Sequence, residues 1–321
     1  MNAVHSIDLE SAMRLAVQEA RKYLGRTAPN PPVGAVVLAV DGTVLGVGAH
    51  VQAGTDHAEV MALKNARESH PHIPAHTVVV TLEPCNHQGR TPPCTQAILA
   101  AGVKKVVVGQ RDPNCRVAGA GIQKLKDSGV EVVEGVLSAE CGELIESFTW
   151  FCQTGKPWVT LKTAHQADGS MIPPVGQKTF TSEASLVFAH ELRKRSQVLI
   201  TGSGTVLADA PWFTVRHVQD HPGMRRTLVV LDRRGRVPRD WVKKAESQGF
   251  EVWIPVVETS LESLLQELGS RGCVDALVEA GPTLSQAFLS ENLVNRHYKI
   301  QVGKNGQADQ IERIDMDLKA R

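Results

Sequence analysis

Apolar residues recur along the chain at two alternating spacings, one helical and one typical of strands, and this alternation predicts an α/β protein. Near-helical spacing after residue 8 predicts a first helix capped by Asp8 or Ser6. Asp41-Gly42 predicts a tight turn between two strands. The first unit is predicted to hold helices at 8–24, 57–69, 94–101 and 119–128 and strands at 33–40, 44–49, 77–82, 104–109 and 130–133.

A second alternating unit follows a turn-rich joint at Thr154-Gly155-Lys156-Pro157. The 321 residues are enough for two domains, predicted at 1–153 and 154–321. Strand–helix alternation favours a largely parallel sheet in this second unit. Its predicted strands are 158–164, 198–200, 227–231, 252–257 and 276–278, and its predicted helices are 182–194 and 261–270.

Composition narrows the class of protein. Apolar residues make up 42% and charged residues 21%, which is typical of a soluble globular chain. A net charge of +1 argues against a nucleic-acid footprint or a polybasic membrane patch. The N-terminus has no secretory signal pattern, which predicts a cytoplasmic protein. The six cysteines could pair as disulfides, but reduced thiols fit that compartment better.

Four residues in a fixed order point to zinc chemistry. His57, Cys85 and Cys94 offer three ligands and leave one open position, as catalytic zinc requires. Glu59 stands two residues after the histidine, within reach of a water at that position, and can serve as general acid and base. Cys94 is predicted at a helix N-terminus, which favours a thiolate. The order His-x-Glu, Pro-Cys, Cys is the signature of zinc-dependent nucleobase deaminases.

Other interpretations of this motif stay open at the level of sequence. His87 or Cys115 could supply a fourth ligand and make the zinc structural. A binding or regulatory protein could retain an idle metal site, although an idle site has no need of Glu59. Related folds also deaminate nucleic acid by flipping a base into such a pocket.

The gap between the two cysteines is wider than the usual Cys-x-x-Cys, and its residues carry a resemblance. The segment 81–94, Thr-Leu-Glu-Pro-Cys-Asn-His-Gln-Gly-Arg-Thr-Pro-Pro-Cys, resembles the deaminase half of the bifunctional riboflavin-biosynthesis deaminase/reductase family. The segments 29–37, 48–59, 112–114 and 119–122 resemble the same half. This resemblance implies a cytidine-deaminase-like three-layer domain. It also implies a phosphoribosylaminopyrimidine substrate contacted by Asn30, His50, His87 and Arg90.

Residues 154–300 resemble the reductase half, which has a dihydrofolate-reductase-like fold and uses NADPH. The resemblance lies in segments 162–169, 203–209, 213–216 and 278–284. It implies that Arg193, Phe213, Arg216 and Glu279 bind the ribose phosphate end of the substrate. It implies cofactor contacts from Ala164, Thr205, Asp209, Gly281, Pro282, Thr283, Leu284, Ser285, Gln286 and Ala287. No Rossmann fingerprint is present, but Gly281-Pro282 enters a predicted helix whose N-terminus suits phosphate.

The second half departs from the family pattern. Two motifs differ from their usual form in the family, Gln166-Ala167-Asp168-Gly169 and Asp209-Ala210-Pro211. The sequence after Leu293-Val294 differs as well, so we expect one or more closing strands of the family's fold to be lost or altered and the C-terminal end of the domain to be atypical or truncated.

The main hypothesis is a homo-oligomeric enzyme that deaminates a diaminopyrimidinone ribosylamine phosphate and then reduces its ribosyl chain. The alternative is a deaminase with a degenerate reductase-like domain that serves substrate binding or assembly.

Overall fold

The computed structural model describes residues 6–88, 92–114, 117–174, 177, 179–256, 259–303 and 307–317. The chain divides into two compact units, Met1–Cys152 and Gln153–Arg321. None of the helices in these described ranges is both long and apolar enough to cross a membrane.

The N-terminal unit is built on a five-stranded sheet with the strand order β2-β1-β3-β4-β5. β1 pairs antiparallel with β2 and with β3, whereas β3, β4 and β5 are parallel. Its strands are β1 (Gly34–Leu38), β2 (Val44–Ala49), β3 (Thr77–Leu82), β4 (Lys105–Gln110) and β5 (Glu131–Glu134). Its helices are α1 (Leu9–Arg21), α2 (Ala58–Ser69), α3 (Cys94–Ala100), α4 (Ala120–Asp127) and α5 (Ser138–Leu144), followed by α6 (Glu146–Thr154).

Helices cover both faces of this sheet and make three layers. Val36 and Val79 face α1 and α5 in one apolar cluster, and Val37 and Val80 face α2, α3 and α4 in the other. β1 and β3 are buried at every position, as a strand covered on both faces must be. The predicted three-layer fold of this unit is therefore confirmed.

Two glycines let β2 lie directly on α2, the helix that begins with the metal-site motif. A Cβ at Gly46 would lie 2.4 Å from the backbone oxygen of Ala62, and one at Gly48 would lie 2.4 Å from its backbone nitrogen. Such contacts are too short for any side chain, so the sequence Gly-Val-Gly fixes the height of α2 above the sheet.

The C-terminal unit contains a seven-stranded sheet with the order β12-β11-β6-β10-β7-β8-β9. Every neighbouring pair is parallel except β11 and β12. Its strands are β6 (Trp158–His165), β7 (Val198–Gly202), β8 (Arg226–Leu231), β9 (Phe250–Trp253), β10 (Asp275–Glu279), β11 (Arg296–Gln301) and β12 (Gln310–Asp315). Its helices are α7 (Glu183–Arg195), α8 (Ser203–Asp209), α9 (Arg239–Ser247), α10 (Leu261–Ser270) and α11 (Pro282–Ser290).

The structure departs from the predicted elements at several places. The predicted strand 252–257 is wrong in position, because β9 begins at Phe250, directly after Gly249 with its φ of +94°, and Pro255 cannot donate to a strand ladder. Helices α5, α6, α8 and α9 were not predicted; α9 has a single buried residue, Ala245, among charged ones. Strands β11 and β12 occupy the segment where the sequence predicts lost or altered closing strands.

Candidate active sites

Three side chains that the sequence predicts as metal ligands meet beside β3. Cys85 follows the end of β3, His57 is the N-cap residue of α2, and Cys94 is the first residue of α3. Their ligand atoms all lie within 4.8 Å of one another. His57 Nδ1 is 3.1 Å from Cys94 Sγ and 3.5 Å from Cys85 Sγ. Two sulfur donors and one imidazole form a donor set that suits zinc.

The environment of the thiols favours metal binding. A hydrogen bond from the Cys94 thiol, together with His57, outweighs burial and lowers the pKa of the Cys85 thiol to about 4. The backbone N–H of Cys94 also donates to Cys85 Sγ over 3.3 Å. Conversely, the pKa of Cys94 is raised by its hydrogen bond to Cys85 and by burial. One thiolate is therefore ready to ligate, and metal binding displaces the second proton.

The cluster is open on one side as far as the structure describes the chain. No fourth His, Cys, Asp or Glu among the described residues joins the three ligands. His87, the alternative fourth ligand, is exposed and lies outside this cluster. Cys115 is outside the described residues. Three ligands with an open position are the arrangement of catalytic rather than structural zinc.

Glu59 lies in the first turn of α2, two residues after His57. Its side chain is only 3% exposed. Burial raises the pKa of Glu59 to about 7, although its hydrogen bond to a backbone amide and the charge of His57 act in the opposite direction. A carboxyl group with a pKa near neutrality can both accept and return a proton.

Glu59 faces a cavity of about 410 Å³, which is large enough for a small molecule and too small for a duplex. Asn30, His50, His57 and His87 line the same cavity. Asn30 Nδ2 is 3.0 Å from His50 Nε2, and His50 Nδ1 is 3.2 Å from the carbonyl oxygen of Asp56. Because a carbonyl can only accept, Nδ1 donates to it, so Nε2 accepts from the Asn30 amide. Arg90 lies outside the described residues.

Sequence reasoning assigned no role to several other residues of this cavity. Glu83, Asp112, Asn114 and Phe148 line it as well. The Asp-Pro-Asn run at 112–114 follows the parallel strand β4, and polar residues at that strand end were the available signal. Phe148 belongs to α6, which was not predicted, so no sequence signal pointed to it.

In the C-terminal unit, a buried cluster of charges surrounds Glu279 at the end of β10. Arg193 donates from Nε to Glu279 Oε1 over 2.7 Å and from Nη2 to Oε2 over 2.8 Å. Lys162 Nζ lies 3.3 Å from Oε2 of the same carboxylate. Burial alone would raise the pKa of Glu279, but the charges and hydrogen bonds of Arg193 and Lys162 outweigh it and lower the pKa to about 2.

The predicted substrate residues of this unit fall into two groups. Arg193 has its remaining nitrogen, Nη1, committed to the carbonyl oxygens of Trp212 and Thr214. Phe213 is 3% exposed and packs in the core, with the Arg193 guanidinium 5.7 Å from its ring centre. Arg216 by contrast is exposed. Its Nη1 donates to Trp212 O and Thr214 Oγ1, and its other guanidinium nitrogens form no hydrogen bond with the described residues, which leaves them for an anion.

The predicted cofactor residues surround a second cavity, of about 640 Å³. Thr205, Asp209, Gly281, Pro282, Thr283, Leu284 and Ala287 line it, whereas Ala164, Ser285 and Gln286 do not. Ser285 is buried, and its hydroxyl donates to Ala280 O. Gly281 N donates to Thr205 Oγ1 over 3.2 Å, which joins the starts of α8 and α11.

The same cavity is also lined by basic residues that were not predicted from the sequence. Arg233, Arg234 and Arg236 follow β8 in one turn and line the cavity. Asp232 precedes them; its Oδ2 accepts from Val237 N, and within the described structure its buried Oδ1 has no hydrogen-bond partner. Backbone amides at helix starts and three guanidinium groups fit a ligand with several phosphates, as a nicotinamide dinucleotide phosphate has.

Comparison with known protein families agrees with both halves of this description. A family model described as the cytidine and deoxycytidylate deaminase zinc-binding region matches residues 6–110. A second, described as the RibD C-terminal domain, matches residues 157–301. Both halves of the chain are thus represented, which favours the bifunctional interpretation over a deaminase with a degenerate second domain.

Relatives match over most of the chain. The riboflavin biosynthesis protein RibD of Aquifex aeolicus is 37% identical, covering 91% of this chain and 86% of the relative. The RibD protein of Escherichia coli is 35% identical, covering 89% and 85%.

Solved structures agree with these relatives. A RibD structure from Acinetobacter baumannii has a TM-score of 0.82 at 38% identity, covering 93% of this chain and 88% of that one. A Thermotoga maritima structure has a TM-score of 0.83 at 34% identity, covering 94% and 88%, and is named a diaminohydroxyphosphoribosylaminopyrimidine deaminase/5-amino-6-(5-phosphoribosylamino)uracil reductase. The chain therefore belongs to the RibD family of riboflavin-biosynthesis enzymes, in which a zinc-binding deaminase domain precedes an NADPH-using reductase domain.

Proposed function

We propose that this enzyme removes an amino group by hydrolysis from 2,5-diamino-6-(5-phosphoribosylamino)pyrimidin-4-one and then reduces the ribosyl chain of the product to ribityl. The observation that carries the proposal is the meeting of His57, Cys85 and Cys94 beside buried Glu59 at one cavity. The name of the Thermotoga maritima relative supports the same pair of reactions.

In the deaminase half, His57, Cys85 and Cys94 would hold zinc. Zinc bound there supplies a Lewis acid that makes water a nucleophile at neutral pH. Glu59 takes one proton from the attacking water and passes it to the ring nitrogen. It then takes the second proton from the hydroxyl group that the water has added to the ring carbon and passes it to the amine, which leaves as ammonia while the ring carbonyl forms. Zinc held by these ligands would favour the ionised form of Glu59, which is the form that starts this sequence.

The substrate ring is oriented by the Asn30–His50 pair. Because Asn30 donates to His50, its carbonyl oxygen is left to accept from an amino group of the pyrimidine. His87 lies at the exposed side of the same cavity and suits the ribose phosphate substituent. We assign Arg90 to that phosphate as well, on the strength of the sequence resemblance and of the fit between guanidinium and phosphate.

In the reductase half, Arg216 binds the substrate phosphate, while Arg193 and Glu279 position the backbone around it. NADPH supplies the hydride. The glycine turns before α8 and α11 receive its pyrophosphate, and the turn with Arg233, Arg234 and Arg236 receives its additional phosphate. Thr205 keeps the two glycine turns together through its bond from Gly281.

We also propose a cytoplasmic homo-oligomer that acts on a free small molecule and not on nucleic acid. The near-neutral charge of +1 and the small-molecule size of the deaminase cavity support action on a free small molecule. Light scattering of the purified protein measures the oligomeric state, and a single-protomer mass would contradict that part.

One assay tests the whole proposal. Purified zinc-loaded enzyme receives the diaminopyrimidinone and NADPH, and ammonia release and the fall in NADPH absorbance are followed in the same sample. We expect both, with ammonia first. Ammonia release without any change in absorbance, even when the deaminated intermediate is added directly, would contradict the second activity.

A further inference from the structure

Glu83 is a buried carboxylate that neither proposed reaction uses. It stands between the last residue of β3 and Pro84-Cys85, and it is 5% exposed. Among the described residues, no Lys or Arg forms an ion pair with it. A buried carboxylate without a counter-ion needs hydrogen bonds, and these decide what it does.

Four backbone amides donate to this one side chain. Oε2 accepts from Asp112 N over 3.3 Å and from Gly119 N over 2.9 Å. Oε1 accepts from Gly121 N over 3.0 Å and from Ile122 N over 3.3 Å. Glu83 therefore holds both the start of the β4–α4 loop and the first turn of α4, where the helix dipole also favours a negative charge.

The backbone around Glu83 is fixed to the same segment. Its own N–H donates to Gln110 O, at the end of β4, over 2.8 Å. A Cβ at Gly121 would lie 1.9 Å from the carbonyl oxygen of Pro84, so α4 begins in direct contact with the turn that carries Cys85. Only glycine allows that approach.

The segment held in this way forms part of the wall of the deaminase cavity, because Asp112, Asn114 and Val117 line it together with Glu59 and Cys85. We propose that Glu83 is a positioning residue of the deaminase: it sets the distance between the β4–α4 wall and the metal-ligand turn, and so the fit of the substrate. This inference rests on the proposed deaminase site. It predicts an effect on KM more than on kcat, since Glu59 and two of the ligands belong to α2 and α3.

The test uses the full-length zinc-loaded enzyme with Glu83→Gln and Glu83→Met. Glutamine keeps one accepting oxygen, whereas methionine keeps a similar volume and only a weakly accepting sulfur. We expect zinc content to stay at the wild-type level and the KM for deamination to rise about tenfold with glutamine and further with methionine, with kcat changed less. Reductase turnover of the deaminated intermediate, measured in the same preparations, should stay at the wild-type level because the C-terminal unit is unchanged, while retained zinc reports that the N-terminal unit is folded.

A second pair of variants reaches the same contact from the other side. Gly121→Ala places a methyl group against Pro84 O and should raise KM as well. Gly129→Ala is the matched control, because Gly129 follows the same helix with a φ of +81° but has no atom within 4 Å of an added Cβ. It should lower stability, because alanine is strained at this positive φ, and leave KM unchanged.

Hydrogen exchange of the Gly119, Gly121 and Ile122 amides supplies a readout that needs no activity. These amides should exchange faster in both Glu83 variants, even if the wild-type protein proved not to be a deaminase, so failure of the proposed function is recognised separately. If the Glu83 variants retain zinc, either an unchanged exchange rate of these amides or an unchanged KM overturns the inference. A loss of both zinc and kcat also overturns it, since Glu83 would then serve only to hold the metal ligands in place.

Discussion

Each unit buries one glutamate at its site, and the two are held in opposite ways. Glu59 is 3% exposed and Glu279 is 6% exposed, so burial favours the neutral form of both. Glu59 forms no ion pair with any described Lys or Arg, and its pKa rises to about 7. Glu279 touches Arg193 and Lys162, and its pKa falls to about 2. The positive charges of Arg and Lys side chains, not burial, separate the pKa values of these two carboxyl groups.

The two folds explain the difference. In the second sheet, β6 and β10 are parallel neighbours, and their register sets Lys162 beside Glu279. α7 then brings Arg193 to the same strand end. Glu59 instead lies on α2, which packs against Gly46 and Gly48 of β2, and none of the described Lys or Arg residues pairs with it. A residue that carries protons needs surroundings like those of Glu59, and a residue that stays an anion needs surroundings like those of Glu279.

The largest effect is expected from Glu59→Gln. Glutamine keeps the shape and cannot carry a proton, so deaminase kcat should fall by about 10²–10⁴-fold. Zinc content and reductase turnover should stay at the wild-type level, which metal analysis and NADPH absorbance measure. Normal deamination by a zinc-loaded variant would show that the proton carrier is another group.

The second largest effect is expected from Glu279→Gln. This change leaves the buried Arg193 charge without its counter-ion, and breaking such a pair costs about 3–5 kcal/mol. Urea unfolding followed by reductase activity should show that loss, while deaminase activity persists to higher urea. The control is Glu267→Gln, which breaks an exposed pair with Arg271 and should cost less than about 1 kcal/mol. Equal effects of both variants would contradict the role of burial.

Acid should remove the same stabilisation from the wild-type protein. The pKa of Glu279 is lowered from 4.5 to about 2, so its contribution is complete above pH 4.5 and disappears as the pH falls toward about 2. The integrated contribution is about 3 kcal/mol. Unfolding free energies of wild type and Glu279→Gln should therefore converge over that pH range. A constant difference between pH 5 and pH 2 would refute the assignment.

A smaller effect is expected from Arg216→Met. Arg216 is exposed and has donors left for a phosphate, so its loss should raise the KM of the reductase for substrate about tenfold with stability unchanged. Arg195→Met removes a guanidinium that is 55% exposed and loosely paired with Glu191, and should leave KM unchanged. If Arg193→Met raised KM without loss of stability, the division of roles between the two arginines would be reversed.

The sequence predicted most of the helices and strands whose apolar residues recur at regular spacing. Largely apolar runs marked β1 and β3, and near-helical spacing with a capping residue marked α1, whose N-terminus Asp8 does cap. Helices with few buried residues escaped, as α6 and α9 show, because periodicity records burial and these elements bury little. Within 281–287, sequence resemblance could not tell that Ser285 turns to the core and Gln286 away from the cavity.

What the sequence alone determined is the chemistry: a histidine, a glutamate and two cysteines in a fixed order require particular functional groups, and their types can be read directly. Only the tertiary structure decided the environments. Contacts between residues far apart in the chain decide whether Glu59 has a Lys or Arg partner and whether Glu279 has two. They also decide which loop Glu83 holds. Charge and hydrogen bonding act over a few ångströms in space, and sequence order does not record that distance.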